Sequence, residues 1–181
     1  MIGPPECNAI NQDAVSAKPT GVSVKPVKCK FKECPSKNIH GDVVVIYEGG
    51  RQKVLTHDGS SVDAKLAAAG TIGWTTGSHA KTQAGEDFAN SVLVIYRAGR
   101  ECAKLRADKP FIRDWNFVDG GKQVVVKSQA THGLEAVELF DVASGQRKGK
   151  IYSFEINEKS PAWAQPFALK LMYKNGHRCL G

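Results

Sequence analysis

Cysteine and histidine are the first residues to weigh for chemistry in this chain, which holds five of each. The cysteines are Cys7, Cys29, Cys34, Cys102 and Cys179. Cys29 and Cys34 stand close enough to close a small loop. Cys7 and Cys179 lie near the chain ends, where a disulfide pins a tail. These four are the disulfide candidates, and an odd count leaves at least one thiol free or paired between chains. No C-x-x-C occurs and no second Cys or His pair follows at finger spacing, so no zinc site is written locally. Lys32 and Lys37 beside Cys34 would lower its thiol pKa. A structural disulfide with Cys29 accounts for the same residue more simply.

The histidines are His40, His57, His79, His132 and His177, with no H-x-H or H-x-x-x-H among them, and no metal site is expected. His57, followed by Asp58 and Gly59, reads as a turn. His79 in "TTGSHAKTQAG" and His132 before Gly133 fall in corresponding polar stretches, where they line a shared surface. Solvated loop histidines are the plainer reading. Asp114 and Asp119 flank Trp115 and Phe117. That cluster suits a ligand cation or a sugar, although Trp115 and Phe117 at i and i+2 also make one buried face of a strand. His79, Asp114, Trp115 and His132 are therefore the candidate binding residues. There is no P-loop, G-x-G-x-x-G, G-x-S-x-G or EF-hand loop, and no cofactor is expected.

The elements that position these residues show a repeat. "VVVIYEGGRQKVL" runs from Val43 to Leu55 and is echoed by "VLVIYRAGRECAKL" from Val92 to Leu105. A third copy, "VELFDVASGQRKGKI", runs from Val137 to Ile151. Each reads as strand, Gly turn, strand. Gly50, Gly99 and Gly145 end the turns, at spacings of 49 and 46 residues. Between the copies lie a strand around Trp74 and another at Val124 to Val126, each followed by a polar loop, residues 75 to 90 and 127 to 135. A meander repeated at this period is typical of propeller blades and related β repeats. Helix signals are thin: "SSVDAKLAAAG" is either a short helix capped by Ser61 or Asp63 or, in the repeat, strand or loop. "FALKLMY" alternates as a last strand before the Asn-Gly turn signal.

The stretch from Pro110 to Ile151 resembles a WD-repeat-like propeller blade of the bacterial periplasmic type. In that pattern a Trp precedes an Asp-Gly turn and a β-branched strand, and a later strand ends in an Asp and a Ser-Gly turn. Trp115, Asp119 and Gly120, Val124 to Val126, Asp141, Ser144 and Gly145 occupy those positions. The resemblance spans roughly residues 42 to 151. A closed propeller takes about four to eight blades, and this chain holds about two and a half. The expected fold is all-β, with antiparallel meanders of propeller-blade type packed as a sandwich or a partial propeller.

Residues 1–40 form a Pro- and Lys-rich N-terminal arm and residues 41–181 the repeated β-meander domain. Five of the eight prolines fall in the arm. Its "GVSVKPVKCKF" alternates like an edge strand interrupted at Pro26. The net charge of +7 owes much to Lys18, Lys25, Lys28, Lys30, Lys32 and Lys37. Without an aromatic platform these read as a solvated tail rather than a nucleic-acid surface. No run reaches the roughly 18 apolar residues of a membrane span. The expectation is an exported domain, periplasmic or secreted, whose leader is not part of this sequence. Its partner is a protein or an envelope component, bound through the polar loops, and oligomers are compatible with it. The alternatives are a cell-envelope hydrolase with a site assembled from distant residues, or a basic nucleic-acid-binding module.

Overall fold

A computed structural model describes residues 18–27, 40–82, 85–168, 171–174 and 177–180, with side chains described for 18–27, 40–77 and 90–168. The described chain is all-β, and its helical turns are single 3-10 turns. The longer sheet holds β1 (Pro19–Pro26), β2 (Gly41–Tyr47), β3 (Gln52–Val54), β4 (Ser61–Leu66), β5 (Ile72–Thr82), β6 (Gly85–Arg97) and β7 (Arg100–Arg106). Its order is β1-β2-β4-β5-β6-β7, with β3 paired to β2. The second sheet holds β8 (Phe111–Val118), β9 (Gln123–Gln129), β10 (Ala136–Asp141) and β11 (Arg147–Tyr152), in the order β11-β10-β9-β8. β12 (Leu171–Lys174) and β13 (His177–Leu180) pair with one another. All pairings are antiparallel.

Strands form here because the apolar runs are β-branched and bounded by glycine corners. All three echoed phrases are hairpins: β2 with β3, β6 with β7 and β10 with β11. The β6–β7 turn places Ala98 at φ 50° and Gly99 at φ 83°, the left-handed pair that a two-residue hairpin requires. At the third corner Asp141 Oδ1 accepts from the Ser144 backbone N–H at 2.8 Å and its hydroxyl at 2.7 Å.

The valine runs are continuous because their strands are covered on both faces. Val92 and Val94 of β6 pack with Val43, Val45, Ile72 and Trp74. Leu93 and Ile95 on its other face pack with Trp115, Val124, Val126 and Phe140 of the second sheet. On β9, Val125 turns away from that core to meet Val137, Leu139 and Phe167. Burying each such side chain contributes about 1.5–3 kcal/mol, so these three clusters hold the layers together.

Several expectations change. The stretch 75–90, read as a polar loop, is mostly strand, because β5 and β6 continue as one long hairpin to Thr82 and Gly85. The Gly and Ser residues that suggested a loop are absorbed by a register shift between Thr76 and Ser78. β1 lies at the sheet edge and ends at Pro26 as expected, yet it pairs with β2 along its length, which ties part of the arm into the main sheet. Near the C-terminus Gln165–Phe167 is a 3-10 turn with Pro166 inside it, and the strand starts only at Leu171. The first two hairpins share one sheet and the third lies in the other, and the described strands close no propeller.

Candidate functional site

β4 carries a bulge, and the bulge sets up the candidate site. Pairing with β5 shifts between Val62 and Lys65, with Asp63 at φ 48°. Bulges bend a strand and re-aim its side chains. Lys65 thereby reaches β8 of the second sheet. Its ammonium lies 3.5 Å from Asp63 Oδ2 and 3.3 Å from Asp114 Oδ1. It donates to Asn116 Oδ1 at 3.3 Å and to the Trp115 carbonyl. It also sits 4.9 Å from the centroid of the Trp115 ring. Beside this knot opens a cleft of about 340 Å³, where the β4–β5 turn meets the β8–β9 turn. Lys65, Leu66, Ala67, Asn116, Phe117 and Gly121 are among its lining residues.

Trp115 itself is 0% exposed. Its ring meets Phe117 edge-on, with centroids 5.4 Å apart at 83°, and lies against Gly73. It acts as the floor behind the Lys65 knot; next to it Asn116 lines the cleft, and Asp114 is exposed beside Lys65.

A second surface lies at the end of the β10–β11 hairpin. Leu134 is 55% exposed and Phe154 is 57% exposed. The Ser153 backbone N–H donates to the Glu135 carbonyl at 3.0 Å, which holds the loop carrying Leu134 to the 3-10 turn Ser153–Glu155 that carries Phe154. Phe154 stacks on Tyr152 at 6.0 Å and 16°. Lys150 covers the other end of that pair, 4.9 Å from the Tyr152 centroid.

A third feature is a charged cluster between β10, β11 and the β7–β8 connection. Glu138 is fully buried. Its Oε1 accepts from Arg147 at 2.8 Å and its Oε2 from the Asp108 backbone N–H at 2.7 Å. Asp108 pairs with Lys150 at 2.8 Å and Lys109 at 3.1 Å. The Lys150 hydrogen bond holds the Asp108 carboxyl below its ordinary range, with Lys109 adding to it against the cost of burial. In return Asp108, and more weakly Tyr152, raises the Lys150 ammonium. Glu138 likewise raises the Arg147 guanidinium. The Ser144 hydroxyl, then its backbone N–H, lowers Asp141. Every one of these groups is satisfied by a neighbour, so the cluster is a clasp between strands.

Of the residues singled out in the sequence, Asp114 and Trp115 come together on Lys65, beside the cleft and outside its lining. His132 is exposed in the β9–β10 loop, near the Leu134 surface. His79 sits in β5 opposite Phe88, in the other sheet, so the two histidines do not occupy equivalent loops. Cys7, Cys29 and Cys34 lie outside the described residues, and Cys179 faces Met172 in the β12–β13 ladder. Among the described residues no group of three His, Cys, Asp or Glu side chains is placed to hold a metal ion. Sequence reading missed Lys65 and Glu138. Glu138 carried a signal: it is the one acid within "AVELF", sharing a strand face with Ala136 and Phe140. Lys65 carried none, because its partners lie 49 to 51 residues away. No family model matches the chain, and no curated protein matches it in sequence.

Proposed function

We propose that this chain is an exported β domain that binds a macromolecular partner, a protein or an envelope component, through the surface around the β9–β10 loop, residues 130–135 of the stretch 127–135. The observation that carries this reading is the exposed apolar pair Leu134 and Phe154. Apolar side chains of this size left in water beside a stacked tyrosine mark a contact surface when they cluster. A flanking loop with His132 and a rim with Lys150 supply the polar surroundings that such contacts use.

Export draws on the cysteine count of five, enough for two disulfides, since disulfides persist in oxidising compartments. The blade-repeat resemblance draws support from hairpins at all three places where it asked for them. A ring of separate blades, however, would not put two of them in one sheet.

The test is site-specific photocrosslinking in cells that make the protein. A benzoylphenylalanine at 154 or at 134 is expected to give the same adduct. One at Val54, exposed on the other sheet, is expected to give none. Equal labelling from Val54, or no adduct from 154 and 134, removes the reading. Thiol titration of the unreduced, unfolded chain tests export separately: five free thiols, the full cysteine count, would sink it.

A further inference from the structure

The cleft beside Lys65 is distinct from the Leu134–Phe154 surface, and its chemistry is more specific. Its polar edge is a tied ammonium, Lys65, beside the carboxamide of Asn116. The Lys65 ammonium is fixed by Asp63, Asp114, Asn116 and the Trp115 carbonyl, so it cannot swing freely into solvent. Asn116 offers a carboxamide whose oxygen takes Lys65, leaving its two amide N–H groups for a ligand. Opposite this edge stand the half-buried Phe117 ring and the aliphatic Leu66 and Ala67. The Thr71 hydroxyl is buried without a partner among the described residues, close to Gly121 at the cleft's corner.

Charge narrows the ligand. One ammonium stands among two carboxylates, Asp63 and Asp114, so the local formal charge is +1 − 2 = −1. A carboxylate or phosphate would meet repulsion from both aspartates and would have to displace one of them from Lys65. A neutral ligand with adjacent hydroxyls has no such cost. Each hydroxyl is at once donor and acceptor, which suits the Asn116 carboxamide on the cleft edge. An open cleft of about 340 Å³ with one aromatic ring and a polar edge has room for a single small polar unit rather than a large apolar ligand.

We infer that this cleft is a carbohydrate subsite, taking the hydroxyl edge of one neutral or amino sugar unit between the Lys65–Asn116 edge and the Phe117 ring. Asn116, which lines the cleft, donates its amide N–H groups to adjacent hydroxyls. An amino sugar is favoured by the net negative field that Asp63 and Asp114, holding Lys65 from outside the lining, set beside the cleft.

The experiment is titration of the intact chain with cellobiose, N,N′-diacetylchitobiose, glucosamine and glucuronate, read by tryptophan emission and by amide chemical shifts. Trp115 lies under Lys65, so its emission reports on the knot. The expected result is saturable binding of at least one neutral or amino sugar, with glucuronate at least about tenfold weaker, a difference of about 1.4 kcal/mol. Asn116→Ala, at an exposed position, is expected to weaken binding about tenfold or more. Lys65→Met is expected to abolish it, and if that variant does not fold, Asn116→Ala decides. No saturable change with any of the sugars overturns the assignment. So does glucuronate binding as tightly as the neutral sugars, or full binding by Asn116→Ala.

Discussion

Glu138, fully buried on β10, receives the Arg147 guanidinium from β11 at 2.8 Å, across the hairpin that joins them. Arg147 is 49% exposed, so solvent screens its side of the pair. The carboxylate has no such relief. Arg147→Ala therefore strands a buried charge and is expected to cost about 2 kcal/mol, below the range for wholly buried pairs because Arg147 keeps half its hydration. Glu138→Leu with Arg147→Leu is expected to cost less than Arg147→Ala alone, since an apolar pair of similar volume needs no partner. Urea unfolding of the three proteins checks this. A double variant less stable than the single one would show that the pair itself, and not the avoidance of an unpaired charge, stabilises the hairpin.

The same clasp sets a pH profile. Asp108 and Asp141 titrate below the ordinary aspartate value, through Lys150 and Ser144 respectively. A depressed carboxyl contributes stability that is complete above its unfolded pKa, about 3.9. That contribution is lost as pH falls through the lower folded value. Lys150 is raised by Asp108. Its contribution is complete below about 10.4 and is lost as pH rises through the higher folded value. Stability is expected to be level between about pH 5 and 9 and to fall on both sides. In Asp108→Asn the acid fall should be shallower and the alkaline fall reduced as well, because both limbs share that ion pair. Denaturant midpoints across pH measure it; an unchanged profile in Asp108→Asn refutes the coupling.

The strands were legible where the sequence carries two-sided burial. Val43 to Tyr47, Val92 to Tyr96 and Val124 to Val126 are unbroken, β-branched apolar runs of strand length, with a glycine corner after the first two and before the third, the pattern of a strand buried on both faces. Thr75 to Thr82 was not legible, because Gly77 and Ser78 look the same in a bulge as in a loop. The site was legible only in its aromatic floor. Asp114 and Trp115 advertised themselves by type. Lys65 did not, since a lysine in a polar stretch is ordinary and its meaning lies in a β4 bulge that faces another sheet. Glu138 needed Asp108, 30 residues earlier, to make sense.

Close backbone approach between the sheets gives a test by glycine. A Cβ at Gly73 would lie 2.8 Å from the Trp115 ring, and one at Gly121, at φ 92°, would lie 2.7 Å from the Ala67 Cβ. Gly73→Ala is expected to cost about 1–3 kcal/mol by overpacking. Gly121→Ala is expected to cost at least as much, since it adds backbone strain of about 1–3 kcal/mol. Gly21→Ala, whose Cβ would meet Ile46 at an ordinary 3.6 Å, is expected to stay within about 0.5 kcal/mol. Thermal melts of the three rank them. If Gly73→Ala melts with Gly21→Ala, the sheets do not approach as closely at Trp115 as this packing requires.

Trp115 and His132 were both marked as binding residues, and the structure gives them opposite roles in stability. Trp115 is sealed between the sheets, touching Gly73 and Phe117 and bearing Lys65 on its face. Trp115→Ala is therefore expected to cost about 3–5 kcal/mol, and Trp115→Phe less, because part of the volume is kept. His132 is exposed in the β9–β10 loop, and His132→Ala is expected to change stability by no more than about 0.5 kcal/mol. The contrast separates floor from surface. A tryptophan that met a ligand directly from an open face could be cut back with little loss of stability and a large loss of affinity. One that supports the Lys65 knot from beneath must lose both together, and in Trp115→Phe any loss of sugar affinity should follow the loosening of the Lys65 contact. Unfolding free energies for the three variants, measured beside their sugar titrations, distinguish the two arrangements.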